Sequence, residues 1–389
     1  MELNSLGYAL NTLYFLVSAV LVMWMAAGFT MLEAGSVRSK NVTEILLKNV
    51  ALYSVASLTF LFVGYELMYG GWNAPEDHAL MSDFFFQVVF VATAMSVVSG
   101  AVAERKKLWS FLAFAGIFTA FIYPYQGSWS WGGGWLSEAG FFDFAGSGIV
   151  HMAGAAAALA AVLLIGPRKG KYIDGKAQPI HGSSTTQVAL GTLILWMGWF
   201  GFNGGSQLSI IGVENANAVA QIFVNTNTAA AAGLLAAMVY SKLWLKKTVL
   251  NVTLNGALAG LVVITADPLT PSPEMAMLYG AIGGLIVPIS MSLLEKWGID
   301  DPVGAISVHG VAGIIGLMLV PILNTGATFE GQLIGTGAIF GFVFGTSLVV
   351  WYILQKTIGL RVGEEEELAG SDMWETGSSA YPEFMEDKR

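Results

Sequence analysis

Eleven stretches without a charged residue divide this chain from end to end: residues 8–32, 49–65, 84–103, 108–137, 144–167, 177–213, 215–241, 248–266, 275–294, 302–329 and 331–355. A helix that crosses a bilayer needs about 20 mainly apolar residues. A soluble fold needs charge to cover its surface, and here 55% of the residues are hydrophobic against 12% charged. The bilayer is the solvent that such a chain fits. The expectation is an all-α membrane protein of eleven transmembrane helices. The start, Met-Glu-Leu-Asn-Ser, lacks a basic leader region, so the first apolar stretch reads as a span and not as a signal segment. Long stretches include connecting residues: 125–134, rich in Gly, Ser and Trp, read as loop.

The basic residues test this count. They fall in six groups: Arg38/Lys40/Lys48, Arg105/Lys106/Lys107, Arg168/Lys169/Lys171/Lys176, Lys242/Lys246/Lys247, Lys296, and Lys356/Arg361/Lys388/Arg389. Each group follows an odd-numbered span. Basic loops stay in the cytoplasm, which puts the N-terminus outside and the C-terminus inside. The opposite loops carry acids such as Glu76, Asp77, Asp83, Glu138 and Asp143. An acidic outer mouth draws cations; a plain solvated loop surface is the alternative. The net charge of −9 gives no nucleic-acid signature, and the absence of cysteine excludes disulfides, thiolate metal sites and a thiol nucleophile.

Two spans share a pattern. The fifth carries Val150-His151 followed by Met-Ala-Gly, and the tenth carries Val308-His309 followed by Gly-Val-Ala-Gly. An Asp-containing loop precedes each, with Asp143 before one and Asp300/Asp301 before the other. Spans 1–5 and 6–10 therefore read as two copies of a five-helix unit. A tandem repeat of odd size is inverted in the membrane, with the substrate path at its interface near the midplane. The domain reading is a membrane domain over 1–360, made of a first half (1–170), an inverted second half (177–325) and an eleventh helix (331–360), followed by a cytoplasmic tail (361–389). Small residues beside each histidine, Gly154 and Ala155–Ala158 on one side and Gly310, Gly313 and Gly316 on the other, allow close helix contact.

Of four histidines, His78 and His181 fall in or near loops and are assigned no role. His151 and His309 lie inside spans, where a polar side chain marks a pathway by default. A neutral pair that merely bonds neighbouring helices is one alternative, and a bis-histidine haem is another. Two adjacent imidazoles can share a proton, one donating and one accepting, and tautomer exchange then relays a proton while the pair stays neutral.

At these residues the sequence resembles the ammonium transporter family (Amt/Mep/Rh superfamily), on its Amt branch. The likeness runs through Gly28–Asn41 (GFTMLEAGSVRSKN), Gly100–Arg105 (GAVAER), Trp131–Gly134 (WGGG), Asp143–Gly146 (DFAG), Trp199–Ser206 (WFGFNGGS) and Asp300–Gly310 (DDPVGAISVHG). The resemblance implies an ammonium-binding site of Trp131, Ser206 and Phe90, a gate of Phe90 and Phe202, a histidine pair of His151 and His309, and Asp143 as a structural residue near the outer site. It implies passage of ammonium as ammonia, and because two neutral imidazoles in series can pass a proton, the proton is expected to follow separately with net charge movement. It also implies a multi-pass protein of the cell membrane, a homotrimer, and a PII-type signalling protein as partner at the cytoplasmic face. A sensor that binds ammonium but transports poorly is the competing reading. No catalytic residue, metal, cofactor or nucleic-acid partner is expected. Glu33 reads as a partner of Arg38 without a transport role, and Glu104 and Arg105 as a structural pair. The tail at 363–372 reads as a solvated acidic segment or, by resemblance, as a regulatory contact; Thr376 stands where the family often has a histidine. No further signalling domain is expected after Arg389.

Overall fold

In a hydrocarbon solvent each backbone N–H and C=O must be bonded within the protein, and a helix does this within one segment. The computed structural model, which describes residues 2–384, is accordingly a bundle of long helices. In chain order they are α1 Glu2–Ser36, α2 Ser39–Tyr69, α3 Leu80–Ala101, α4 Leu108–Ser128, α5 Ser147–Ile165, α6 Thr185–Gly205, α7 Val213–Trp244, α8 Leu250–Thr265, α9 Pro273–Lys296, α10 Ile306–Leu323 and α11 Phe329–Thr357. Among the described residues nine helices are long and apolar enough to cross a membrane. The two outside that group have a physical reason. Helix α8 is short and almost wholly buried, and α6 carries Asn203, several threonines and five glycines because it faces protein over much of its length. A two-stranded hairpin, Tyr172–Ile173 with Lys176–Ala177, decorates the loop after α5.

Helix α1 lies along α6, α7 packs on α8 and α9, and α5 is held between α3 and α11. The first turns of α5 meet those of α10. Gly313 permits that crossing: a Cβ there would stand 2.4 Å from the Ser147 carbonyl oxygen. Both helices open with a π-helical turn, Ser147–Met152 and Ile306–Val311. Such turns widen the helix locally and are frequent at functional sites.

Four details depart from the reading of the sequence. The segment at 125–134 is helical as far as Ser128, and only then turns, before a short helix at Trp135–Glu138. Glu33 pairs with Lys48 at 3.0 Å, while Arg38 pairs with Glu104 at 2.6 Å. Glu104 and Arg105 do not form a pair: Arg105 is spent on the carbonyls of Ala101, Ala103, Gly166 and Asp300. Nor is the acidic tail simply solvated. Glu367, Ser371 and Asp372 are buried, and they bond Arg361, Asn41 and the Glu44 amide.

The loops at one end are clamped by Arg168, which grips Asp300 with two guanidinium nitrogens at 2.8 and 2.9 Å. Burial raises the Asp300 carboxyl, but the Arg168 hydrogen bonds and charge outweigh it and hold the group down at about 2. A depressed carboxyl stabilises the fold at every pH above the ordinary value and loses that contribution only as pH falls through about 2. The clamp is therefore at full strength at neutral pH. Arg168→Met leaves a buried carboxylate without its partner and should cost about 3 kcal/mol. A fall in Tm of the detergent-solubilised protein would register this; an unchanged Tm would show the clamp to be dispensable.

Candidate functional site

The site begins with two aspartates. Asp143 Oδ1 accepts from the amides of Gly146 and Ser147 at 3.1 and 2.8 Å, and Oδ2 from Gly148 and Ile149 at 2.8 and 2.9 Å. Asp301 repeats the arrangement, with Oδ1 accepting from Val303 and Gly304 and Oδ2 from Ile306 at 2.8 Å. These amides have no carbonyl partner in a first turn, and a carboxylate there also suits the helix dipole. Each aspartate is followed three residues later by a glycine in left-handed backbone, Gly146 at φ +114° and Gly304 at φ +80°. Each stands eight residues before its histidine. Asp301, and not Asp300, is thus the counterpart of Asp143.

These caps aim His151 and His309 at one another. Their Nδ1 atoms are 3.2 Å apart, the rings are 27° from parallel, and the residues are 0% and 4% exposed. One ring donates across this contact and the other accepts. His151 Nε2 is buried without a hydrogen-bond partner among the described residues. Two rings pack against His151, Trp199 at 5.0 Å and Phe202 at 5.2 Å between centroids, and they stand 5.8 Å from each other. Trp199 is itself fixed by a bond from Nε1 to Thr265 Oγ1 at 2.8 Å. Its sequence neighbour Phe202 matched a motif, whereas Trp199, one of twelve tryptophans, carried no signal of its own beyond that segment.

Phe202 continues the column to Phe90, at 4.3 Å between centroids, and both are fully buried. Above them lies a vestibule of about 290 Å³. Phe90, Trp131 and Ser206 all line it, so the three residues named for cation binding meet at one cavity. Trp131 stands edge-on to Phe90 at 6.0 Å and donates Nε1–H to the Asp143 carbonyl at 2.9 Å. Ser206 Oγ donates to the Phe202 carbonyl at 2.8 Å, which leaves its lone pairs free to accept. Asp143 does not line this cavity, and both its carboxylate oxygens are bonded to backbone amides.

His78, left without a role from sequence, is part of this wall. It stacks on Phe15 at 4.2 Å, bonds Asp77 through Nδ1 at 2.7 Å, and lines the vestibule beside Tyr69 and Asp83. The signal available was its place in a loop rich in acids. On the far side of His309, Phe29 stands at 6.1 Å, and a chamber of about 20 Å³ follows. The site as a whole is an aromatic-walled line: vestibule, two phenylalanines, two imidazoles, chamber. It can strip water from a small cation, accept its N–H bonds and pass a proton between neutral rings.

The Ammonium Transporter Family model matches residues 13–381, and the chain belongs to that family. It is a multi-pass protein of the cell membrane. It is similar to the ammonium transporter Amt2 of Archaeoglobus fulgidus, 42% identical over 95% of this chain and 88% of that one. It is also similar to Amt2 of Methanocaldococcus jannaschii, 37% identical over 98% of this chain and 93% of the relative. Among solved structures, a sensor Amt protein superimposes with a TM-score of 0.91 at 35% identity, covering 97% of this chain and 100% of that one.

Asp143→Asn replaces two acceptor positions by an amide N–H₂ that faces backbone donors. The first turn of α5 should loosen, at a cost of about 2 kcal/mol. A lower Tm, together with loss of transport, is the outcome to look for. Full stability with unaltered transport would mean that the cap does not position His151.

Proposed function

We propose that this protein carries ammonium across the membrane by splitting it. The single observation that supports this best is the 3.2 Å contact between two buried imidazole nitrogens, in line with a vestibule and an aromatic gate. NH₄⁺ enters the vestibule, attracted by acids such as Asp83. The π-faces of Trp131 and Phe90 attract the cation, and the Ser206 hydroxyl accepts one N–H. The Phe90–Phe202 pair admits only a species that sheds its hydration. Ammonium can do so by giving up a proton and crossing as NH₃, which K⁺ and Na⁺ cannot. The proton follows through the His151–His309 contact by tautomer exchange, so that charge moves with each ammonia.

The same reading takes the eleven helices as eleven spans, N-terminus outside and C-terminus inside. Residues 1–170 and 177–325 form inverted halves, 331–360 the added helix, and 361–389 the cytoplasmic tail. The matching Asp-x-x-Gly caps at Asp143 and Asp301 support this symmetry. A homotrimer with one pathway per subunit, and a PII-type protein at the cytoplasmic face, complete the proposal. A sensor role is the second reading, favoured by the similarity to a sensor Amt protein. Transport currents separate the two: ammonium pulses on reconstituted vesicles should evoke current, while binding without current or uptake would select the sensor.

Two variants test the parts. His151→Ala should cut proton-coupled current about 100-fold or abolish selectivity over K⁺. Current and selectivity like those of the wild type would end the relay mechanism. Ser206→Ala removes one hydrogen bond to a charged ligand and should raise KM about tenfold with little change in maximal rate. An effect confined to the maximal rate would contradict a binding role.

A further inference from the structure

Below the histidine pair sits a charge that the transport reading leaves unused. Glu33 lies in the last turn of α1 and is 1% exposed. Its Oε2 accepts from Lys48 Nζ at 3.0 Å and from Ser99 Oγ at 2.8 Å. Lys48 also donates to the Ser99 carbonyl at 3.0 Å and lies over the Phe111 ring at 5.5 Å. One carboxylate oxygen thus suffices to tie α1, α2 and α3 together. The other, Oε1, is buried and has no hydrogen-bond partner among the described residues. A buried carboxylate oxygen without a donor is costly unless something visits it.

Glu33 lines the chamber of about 20 Å³ that His309 also lines, in company with Ser96 and Asn255 among apolar side chains. A space of that size holds one small molecule of the dimensions of water, ammonia or ammonium. A second chamber of about 80 Å³ shares Leu32, Asn255 and Val303 with it and adds Ser36, Asn251 and Thr192. The order along the path is histidine pair, small chamber, larger chamber.

We infer that Glu33 forms an inner ammonium subsite, where the cation is reassembled after the dry passage. The inference rests on the transport reading above. Ammonia arriving beside His309 takes the proton carried by the imidazole pair onto its lone pair. One N–H bond forms at ammonia and one breaks at His309, while the proton taken up at the His151 end keeps the pair neutral. The new positive charge faces the open oxygen of Glu33. Lys48 offsets part of the carboxylate charge, so the cation is held weakly and leaves through the larger chamber. A site on a conduction path must bind weakly enough to release.

The test removes both charges at once, because Glu33→Gln alone would leave Lys48 buried and unpaired. In vesicles of known orientation, the Glu33→Gln/Lys48→Gln protein should show KM for ammonium raised several-fold from the inner face and little changed from the outer face. An unchanged inner KM, or a parallel change at both faces, would overturn the subsite. A wild-type protein without current would overturn the transport reading instead. Should the double variant not assemble, infrared difference spectra of the wild type decide: replacing K⁺ by ammonium should shift a carboxylate stretch, and Glu33→Asp should move that band. A carboxylate region insensitive to ammonium would refute the assignment, since it registers binding whether or not transport occurs.

Discussion

The structure depends on bringing two imidazoles into contact where water is excluded. Nothing in a bare helix directs a histidine inward. Here the direction is set eight residues upstream, where Asp143 and Asp301 take up the free amides of a first turn and a glycine with positive φ bends the chain into it. The π-turns that follow place the rings at the crossing of α5 and α10, and Gly313 lets the backbones meet there. Each of these is a local rule, yet together they fix a distance of 3.2 Å between residues 158 positions apart in sequence.

Around this contact the polar groups fall into two kinds. Most are consumed in holding helices: Arg105 and Arg168 at the loop ends, Trp199 on Thr265, Trp131 on the Asp143 carbonyl. Others keep an open position, among them the lone pairs of Ser206, His151 Nε2 and Glu33 Oε1. Ser206 lines the vestibule and Glu33 the small chamber, with the histidine pair between them.

Much of this was legible in the chain. The eleven apolar stretches, the one-sided basic groups and the paired Val-His motifs could be read from it, while Trp131, Phe90, Phe202 and Ser206 were singled out only through the family resemblance. What was misread has a common cause. Glu33 was matched with Arg38 because they are neighbours in sequence, whereas burial favoured Lys48 across a helix contact. The 125–134 segment looked like loop by composition, yet tertiary packing keeps its first turn helical. His78 stood in a loop that the sequence could not show to be the wall of a cavity.

By itself the sequence determined the solvent, since a chain this apolar with charges at regular intervals has only the bilayer to fold in, and it determined which residue types cross it. Only the tertiary structure decided which of those residues meet. Hydropathy acts on each segment separately, while the contacts of His151 with His309, Arg168 with Asp300, and Glu33 with Lys48 arise from shape and burial between segments that no linear pattern records.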